Sequence, residues 1–354
     1  MLMRKYIAAF GAFPDIRGNH WQKLIGYFPN LQRAWEANSS ELGRAGLTER
    51  WISSFLDYRN QADLDQILKT LVDNKVGIIF FTDSNYPTAL KEIYNPPYIL
   101  YCLGEYKAED ENAIGIVGSR KGTDYGKRTT FDIAKELAEN NITVVSGLAL
   151  GLDTEAHRGA LAGGGRTIAV LANGLDAIYP VSNYNLAKEI ATHGCIFSEQ
   201  PIGMPPLKQN FPARNRIISG LSKGILVTEA GDNSGTLHTA SFAVEQNRQI
   251  YAVPGPIYNP LAKGPNSLIK QGAKIVTEPQ DILEDFGIEE NARENLPQGE
   301  DEEMIFEILK HENLHIDEIA HRSERDSAEI SKILTLMEIK GKVHHLGGMI
   351  YSLH

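Results

Sequence analysis

Ile114-Gly115-Ile116-Val117-Gly118-Ser119-Arg120 is a short β-branched run that breaks into Gly-Ser and then into a helical pattern. The same grammar returns in Thr143-Val144-Val145-Ser146-Gly147-Leu148-Ala149-Leu150-Gly151-Leu152-Asp153 and in Thr167-Ile168-Ala169-Val170-Leu171-Ala172-Asn173-Gly174. Further on, Phe211-Pro212-Ala213-Arg214-Asn215-Arg216 sets an aromatic ring beside two guanidinium groups. A strand that ends in glycine ahead of a helix offers backbone N–H groups to an anion. Several such loops, with arginines among them, predict a bound phosphate chain.

Outward from this stretch, strand and helix alternate from Glu111 to about Phe286. Strands are predicted at 114–117, 143–145, 167–171, 194–198, 224–228, 250–253 and 274–275, and helices at 126–140, 153–162, 182–193 and 236–246. Such alternation implies a doubly wound, mostly parallel α/β sheet with helices on both faces. Ligands of these sheets lie beyond the carboxyl ends of the strands, where the first three loops fall. Before it, a helix at 63–75 leads into a strand at 76–81. Asp83-Ser84-Asn85-Tyr86-Pro87 makes a turn, and Pro96-Pro97 precedes a strand at 98–101; these pieces are expected at the sheet edge.

The 354 residues allow two or three domains, and 42% hydrophobic with 23% charged residues is ordinary for a soluble globular chain. No apolar run approaches the roughly 20 residues of a membrane span, and the start, Met1-Leu2-Met3-Arg4-Lys5-Tyr6, lacks a signal-peptide core. The expectation is a cytoplasmic protein with no membrane contact. Cys102 and Cys195 lie far apart without a C-x-x-C partner, so two buried, reduced thiols are expected, with neither a zinc site nor a disulfide framework. The net charge of −10 argues at first against nucleic acid. Its distribution weakens that objection. Acids crowd between Glu278 and Glu303, whereas Lys208, Arg214 and Arg216 sit in an acid-free segment between Pro205 and Lys223.

The first 62 residues read as a module of short helices, with Gly18, Pro29, Gly43 and Gly46 at the turns. The main α/β domain is expected over 63–288. An acidic linker follows at 289–300, then a terminal module at 301–354. Helices at 302–310, 315–321 and 327–341 and a two-stranded ribbon turning at Gly347-Gly348 make that module a winged helix, with Ile330, Ile333, Leu334, Leu336 and Met337 as core candidates. Winged helices bind duplex DNA in many proteins. Here the third helix brings only Lys332 and Lys340, which favours a protein contact or spacer role over duplex DNA.

Within the loops, Gly118 admits a phosphate close to the backbone, Ser119 can donate a hydroxyl, and Arg120 offers a fork for phosphate oxygens. No G-x-x-x-x-G-K-[ST] and no G-x-G-x-x-G after the first strand occur, so neither ATP hydrolysis nor a dinucleotide is indicated, and no cofactor is expected. Asp153 is read as a helix cap and His157 as a packed histidine rather than a catalytic pair. Glu229 and Ser234-Gly235-Thr236 either orient a ribose or base or fix their loop. Phe211 can stack on a base, with Arg214 and Arg216 as the positive groove and the Asn215 amide as an edge reader. The competing structural reading pairs Arg214 and Arg216 with acids elsewhere in the fold.

In this order the motifs resemble the DNA-processing protein DprA family, also called Smf. The resemblance rests on Gly118-Ser119-Arg120, on Ser146-Gly147-Leu148-Ala149 through Gly151-Leu152-Asp153 and Ala156-His157, and on Gly174-Leu175-Asp176 with Tyr179-Pro180. It continues through Ser198-Glu199, Phe211-Pro212 with Arg214 to Ser222, Glu229-Ala230 with Ser234-Gly235-Thr236, Val253-Pro254-Gly255 and Asn266 with Leu268-Ile269. It implies an extended Rossmann-like domain flanked by a helical SAM/HhH-like module and a winged helix. It further implies a non-enzymatic protein that binds and protects single-stranded DNA and loads the recombinase RecA onto it in natural transformation and recombination. The candidate strand-binding residues are Gly118, Ser119, Arg120, Ser146, Gly147, Lys208, Phe211, Arg214, Asn215 and Arg216. A homodimer is implied through Leu268, Ile269 and Ile275. Two positions depart from the family pattern: Ala213 stands where a basic residue is frequent, and Gly264-Pro265-Asn266 replaces Gly-Ser/Thr-Asn.

The alternative is a nucleotide-binding enzyme or sensor of a related fold, such as a nucleoside monophosphate phosphoribohydrolase with Glu229 as its carboxylate. Those relatives carry Pro-Gly-Gly-x-Gly-Thr where this chain has Ala230-Gly231-Asp232-Asn233-Ser234-Gly235-Thr236.

Overall fold

The computed structural model describes residues 2–232, 234–288, 299–310, 312–340 and 342–353. Its compact units are Met1–Asp281 and Ile282–His354. The linker expected at 289–300 lies, up to residue 298, outside the described residues.

In the first unit the helices α1 (Leu2–Gly11), α2 (Gly18–Tyr27), α3 (Leu31–Glu36), α4 (Ser39–Arg44), α5 (Glu49–Gln61) and α6 (Leu64–Asp73) precede β1 (Gly77–Phe80). Their starts are set by side-chain caps. Asn30, Thr48 and Asp63 each accept from a backbone N–H of the first turn, and Asn38 with Glu41 closes a capping box. Phe10 stacks on Phe55 with centroids 5.1 Å apart, and Trp35 packs edge-on against both. One continuous core runs from Tyr6 through these rings to Leu171 and Ile196 of the sheet. The helices expected as a separate module over 1–62 therefore share their hydrophobic core with the α/β domain.

After the short α7 (Thr88–Lys91) come β2 (Ile99–Gly104), β3 (Ala113–Val117), α8 (Asp124–Glu139), β4 (Thr143–Ser146), α9 (Leu152–Ala162) and β5 (Thr167–Leu171). They are followed by α10 (Tyr184–His193), β6 (Cys195–Ser198), α11 (Asn210–Leu221), β7 (Gly224–Val227), α12 (Gly235–Glu245), β8 (Gln249–Ala252), α13 (Lys263–Lys270) and β9 (Lys274–Ile275). The nine strands form one sheet in the order β1-β2-β6-β5-β4-β3-β7-β8-β9. From β6 to β9 every neighbouring pair is parallel; β2 is antiparallel to β6, and β1 to β2. The early strands thus sit at the edge, as their sequence signals predict. Cys102 and Cys195 are free and buried on neighbouring strands.

The chain leaves β3 toward β4, β5 and β6, then returns to place β7 on the other side of β3. That reversal is the topological switch point at which doubly wound sheets bind ligands.

Helix α11 is absent from the sequence reading. Pro212 is its third residue, within the first turn, where a missing N–H costs nothing. From Ile217 to Leu221 every residue is buried, so no polar face marks the helical period. The unusual Pro265 likewise falls in the first turn of α13, where Asn266 holds Gly255 by donating to its carbonyl (2.9 Å) and accepting from its N–H (3.2 Å).

The second unit carries helices Glu300–Leu309, Ile316–Ser323 and Ser327–Ile339 around Ile305, Ile319, Ile330, Leu334 and Met337. Strands Val343–Gly347 and Ile350–Leu353 turn at Gly347-Gly348, both at positive φ. Leu314–His315 adds a third strand, so the expected two-stranded ribbon is part of a three-stranded sheet. Leu336, a core candidate from its spacing, is 48% exposed because the core stripe runs through residues 330, 333, 334 and 337. Lys340 pairs with Glu302 at 2.8 Å, which leaves the third helix still less basic.

Candidate nucleic-acid interface

Three loops meet beyond β3, β4 and β7. Ser119 N donates to Glu229 O at 2.8 Å, and Leu152 N donates to Ser119 O at 3.2 Å, so the loops are tied by their own backbones. Asp153 lies buried beneath them. Its Oδ1 accepts from Gly118 N (3.4 Å), and its Oδ2 from Gly147 N (3.2 Å) and Ala149 N (3.4 Å). The N–H groups expected to cradle a phosphate thus already hold a carboxylate of the chain. Burial keeps the Asp153 carboxyl above the ordinary range, opposed by the Arg214 charge and the three N–H groups. Asp153 is not the helix cap expected from the sequence: Gly151 is the N-cap of α9, Asp153 is the second helical residue, and its carboxylate turns back to the loops instead of capping the helix.

Arg214 and Arg216 do not face solvent as the phosphate-groove reading requires. The buried Arg214 donates from Nη1 to Gly147 O at 2.7 Å and to Val170 O. Burial pushes its pKa down to about 10. Arg216 forms a two-pronged pair with Glu199, Nη2 lying 2.7 and 2.9 Å from the carboxylate oxygens. For Arg216 this is the ion-paired alternative that the sequence left open. Ser146 also points inward, donating to Ile116 O at 2.6 Å. Asn215 is half-buried and accepts from Arg214 Nε at 3.1 Å.

Glu229 is engaged as well: its oxygens accept from Thr123 N (2.8 Å) and Thr123 Oγ1 (2.6 Å). That fixes the start of α8, with both oxygens of the Glu229 carboxylate taken up inside the fold. His157 is buried against Thr167, its Nδ1 2.7 Å from the hydroxyl. Because Thr167 Oγ1 donates to Val144 O at 2.7 Å, Nδ1 must carry the proton and Nε2 is a bare acceptor.

What remains outside is a cationic and aromatic rim. Arg120 is exposed, with its guanidinium carbon 5.5 Å from the centroid of Phe211. Tyr179 packs against Phe211 in an edge-to-face arrangement, with centroids 5.9 Å apart and 44% of its surface exposed. Lys208 is exposed just ahead of α11, and Ser119 is half-buried beside Arg120. The Tyr179 segment is anchored through Asn183 Nδ2, which donates to Leu148 O (3.0 Å) and Thr154 Oγ1 (2.9 Å). Tyr179 was not singled out for the site from sequence, although Tyr179-Pro180 stands out there as a motif. Rings and guanidinium together can stack on bases and neutralise phosphate.

Of the proposed dimer residues, Ile275 is 47% exposed on the edge strand β9, while Leu268 and Ile269 on α13 are half-buried. No helix among the described residues is long and apolar enough to cross a membrane.

A doubly wound sheet with a guanidinium–aromatic rim at its switch point defines a Rossmann-like protein. The chain belongs to the DNA recombination-mediator protein A family, whose model matches residues 77–287, followed by the DprA winged helix domain at 289–349. It is 39% identical to Protein Smf of Escherichia coli K12 over 331 residues, covering 89% of this chain and 88% of that one. It is 36% identical to DNA processing protein DprA of Streptococcus pneumoniae over 272 residues, covering 70% and 96%. The solved structure of DprA from Streptococcus pneumoniae aligns with a TM-score of 0.72 at 35% identity, over 79% of this chain and 97% of that one. DNA processing protein A from Helicobacter pylori, solved to show its single-stranded DNA binding mode, aligns with a TM-score of 0.55 at 32% identity, over 60% and 95%.

Proposed function

We propose that the protein binds single-stranded DNA at the Arg120–Phe211–Tyr179 rim, as a non-catalytic DNA-processing protein of natural transformation and recombination. The observation that carries this reading is the exposed Arg120 guanidinium lying against the Phe211 ring at the mouth of the switch point. Membership of the DprA family, and the strand-binding relative from Helicobacter pylori, support it. Ser119 and Lys208 flank the rim and take part in the same contact. Gly118, Ser146, Gly147, Arg214, Asn215 and Arg216 act from beneath as the frame that holds it. The strand so held is protected and becomes the substrate onto which RecA is loaded, with two copies pairing through Leu268, Ile269 and Ile275.

Fluorescence anisotropy of a labelled poly-dT without ATP tests the reading. Salt-sensitive binding that Phe211→Ala weakens is the expected result. No binding by the wild-type protein would overturn it.

A further inference from the structure

We propose that the strand continues from the rim into the groove between α2 and α11, where unstacked bases are held by their edges; this rests on the single-strand reading above. The groove has a volume of about 1100 Å3 and lies within the first compact unit. Helix α11 serves both surfaces. Phe211 and Arg214 face the strand ends, whereas Asn210, Ala213 and Arg216 line the groove. A strand stacked on Phe211 therefore reaches the groove by crossing one helix.

The lining fits bases better than phosphates. Asn19 and Gln22 of α2, Asn95, Gln209 and Asn210 all bring amides to it, and amides both donate and accept as base edges require. Among the described residues no hydrogen bond engages the side chains of Asn19, Gln22, Asn95 or Gln209. The Asn210 Nδ2 is shielded from solvent and has no partner in the fold. Tyr94 is fully exposed on the wall, a ring free to stack. The Arg216–Glu199 pair cancels its own charge. Arg17 is held by donating to the carbonyls of Pro14 and Ile16, both at 2.7 Å. The N-terminal helices thereby gain a role as the outer wall of the strand's path.

The test uses the full chain and oligo-dT of about 6 and about 24 nucleotides, the short one matched to the rim alone. Asn19→Ala/Gln22→Ala and Tyr94→Ala should each weaken the long oligonucleotide about fivefold or more, leave the short one unchanged, and keep the salt dependence of wild type. Phe211→Ala should weaken both lengths; short-oligonucleotide binding indifferent to it would overturn the strand reading itself. Unchanged affinity for the long oligonucleotide in both groove variants would overturn the groove proposal. Equal losses at both lengths, or a flattened salt dependence, would also overturn it.

Discussion

Arg214 donates to the carbonyl oxygen of Gly147 at 2.7 Å, so its guanidinium lies under the β4 loop rather than out in the groove. The same group reaches Val170 O on β5 and faces the Asp153 charge, tying strand ends to the helix that carries Phe211. Arg120, by contrast, is outside. Arg214 thus belongs to the frame, and Arg120 to the exposed rim.

Arg214→Ala leaves two buried carbonyls unsatisfied and Asp153 without its compensating charge. The expected loss is about 3 kcal/mol of folding stability, read by urea denaturation. Arg214→Lys recovers little of it, because a single ammonium cannot reproduce the fork.

Phe211→Ala should weaken single-stranded DNA binding by about 1–3 kcal/mol, the worth of one stacked base, with little change in salt dependence. Phe211→Trp should retain most of the affinity. Tyr179→Ala should give a smaller loss in the same anisotropy assay, since Tyr179 meets Phe211 by its edge.

The parallel sheet was legible because its strands are continuous β-branched runs cut by glycine, and the winged helix because its helices are amphipathic. Arg120 was legible as a cation next to a strand end, and Phe211 as an aromatic ring among arginines. The inward turn of Arg214, Arg216 and Ser146 was not, because residue type alone does not say whether a guanidinium meets phosphate or a carbonyl. Nor could spacing reveal that Asp153 fills the nest of Gly118 and Gly147. That depends on β3 and β4 being neighbours, and so on the topology.

His157 gives the fold an acid sensitivity. Burial, with the Arg214 charge, pushes its pKa down to about 3 from an ordinary 6.5. The folded state keeps it neutral while the unfolded chain takes a proton, so stability is full above pH ~6.5 and falls as pH drops toward ~3. The slope from this group approaches about 1.4 kcal/mol per pH unit. Asp153, whose carboxyl is held high, works in the opposite sense. His157→Asn keeps a donor for Thr167 without titrating there, and urea denaturation between pH ~6 and ~4 should show a shallower decline.

Gly147 has no room for a side chain, because a Cβ would strike the Arg214 guanidinium. At Gly118 a Cβ would lie 2.5 Å from Leu152 Cδ1 and 2.8 Å from its Cβ. Alanine at either position should cost about 1–3 kcal/mol by overpacking, with a lowered melting temperature as the readout.

The most direct test compares poly-dT binding by wild type and Arg120→Ala across a salt series, with thermal melting in parallel. The account predicts a loss of about tenfold in affinity, a salt slope smaller by about one, and an unchanged melting temperature. Equal affinity and equal slope in the two proteins would contradict it, and would move the strand away from the Arg120–Phe211 rim.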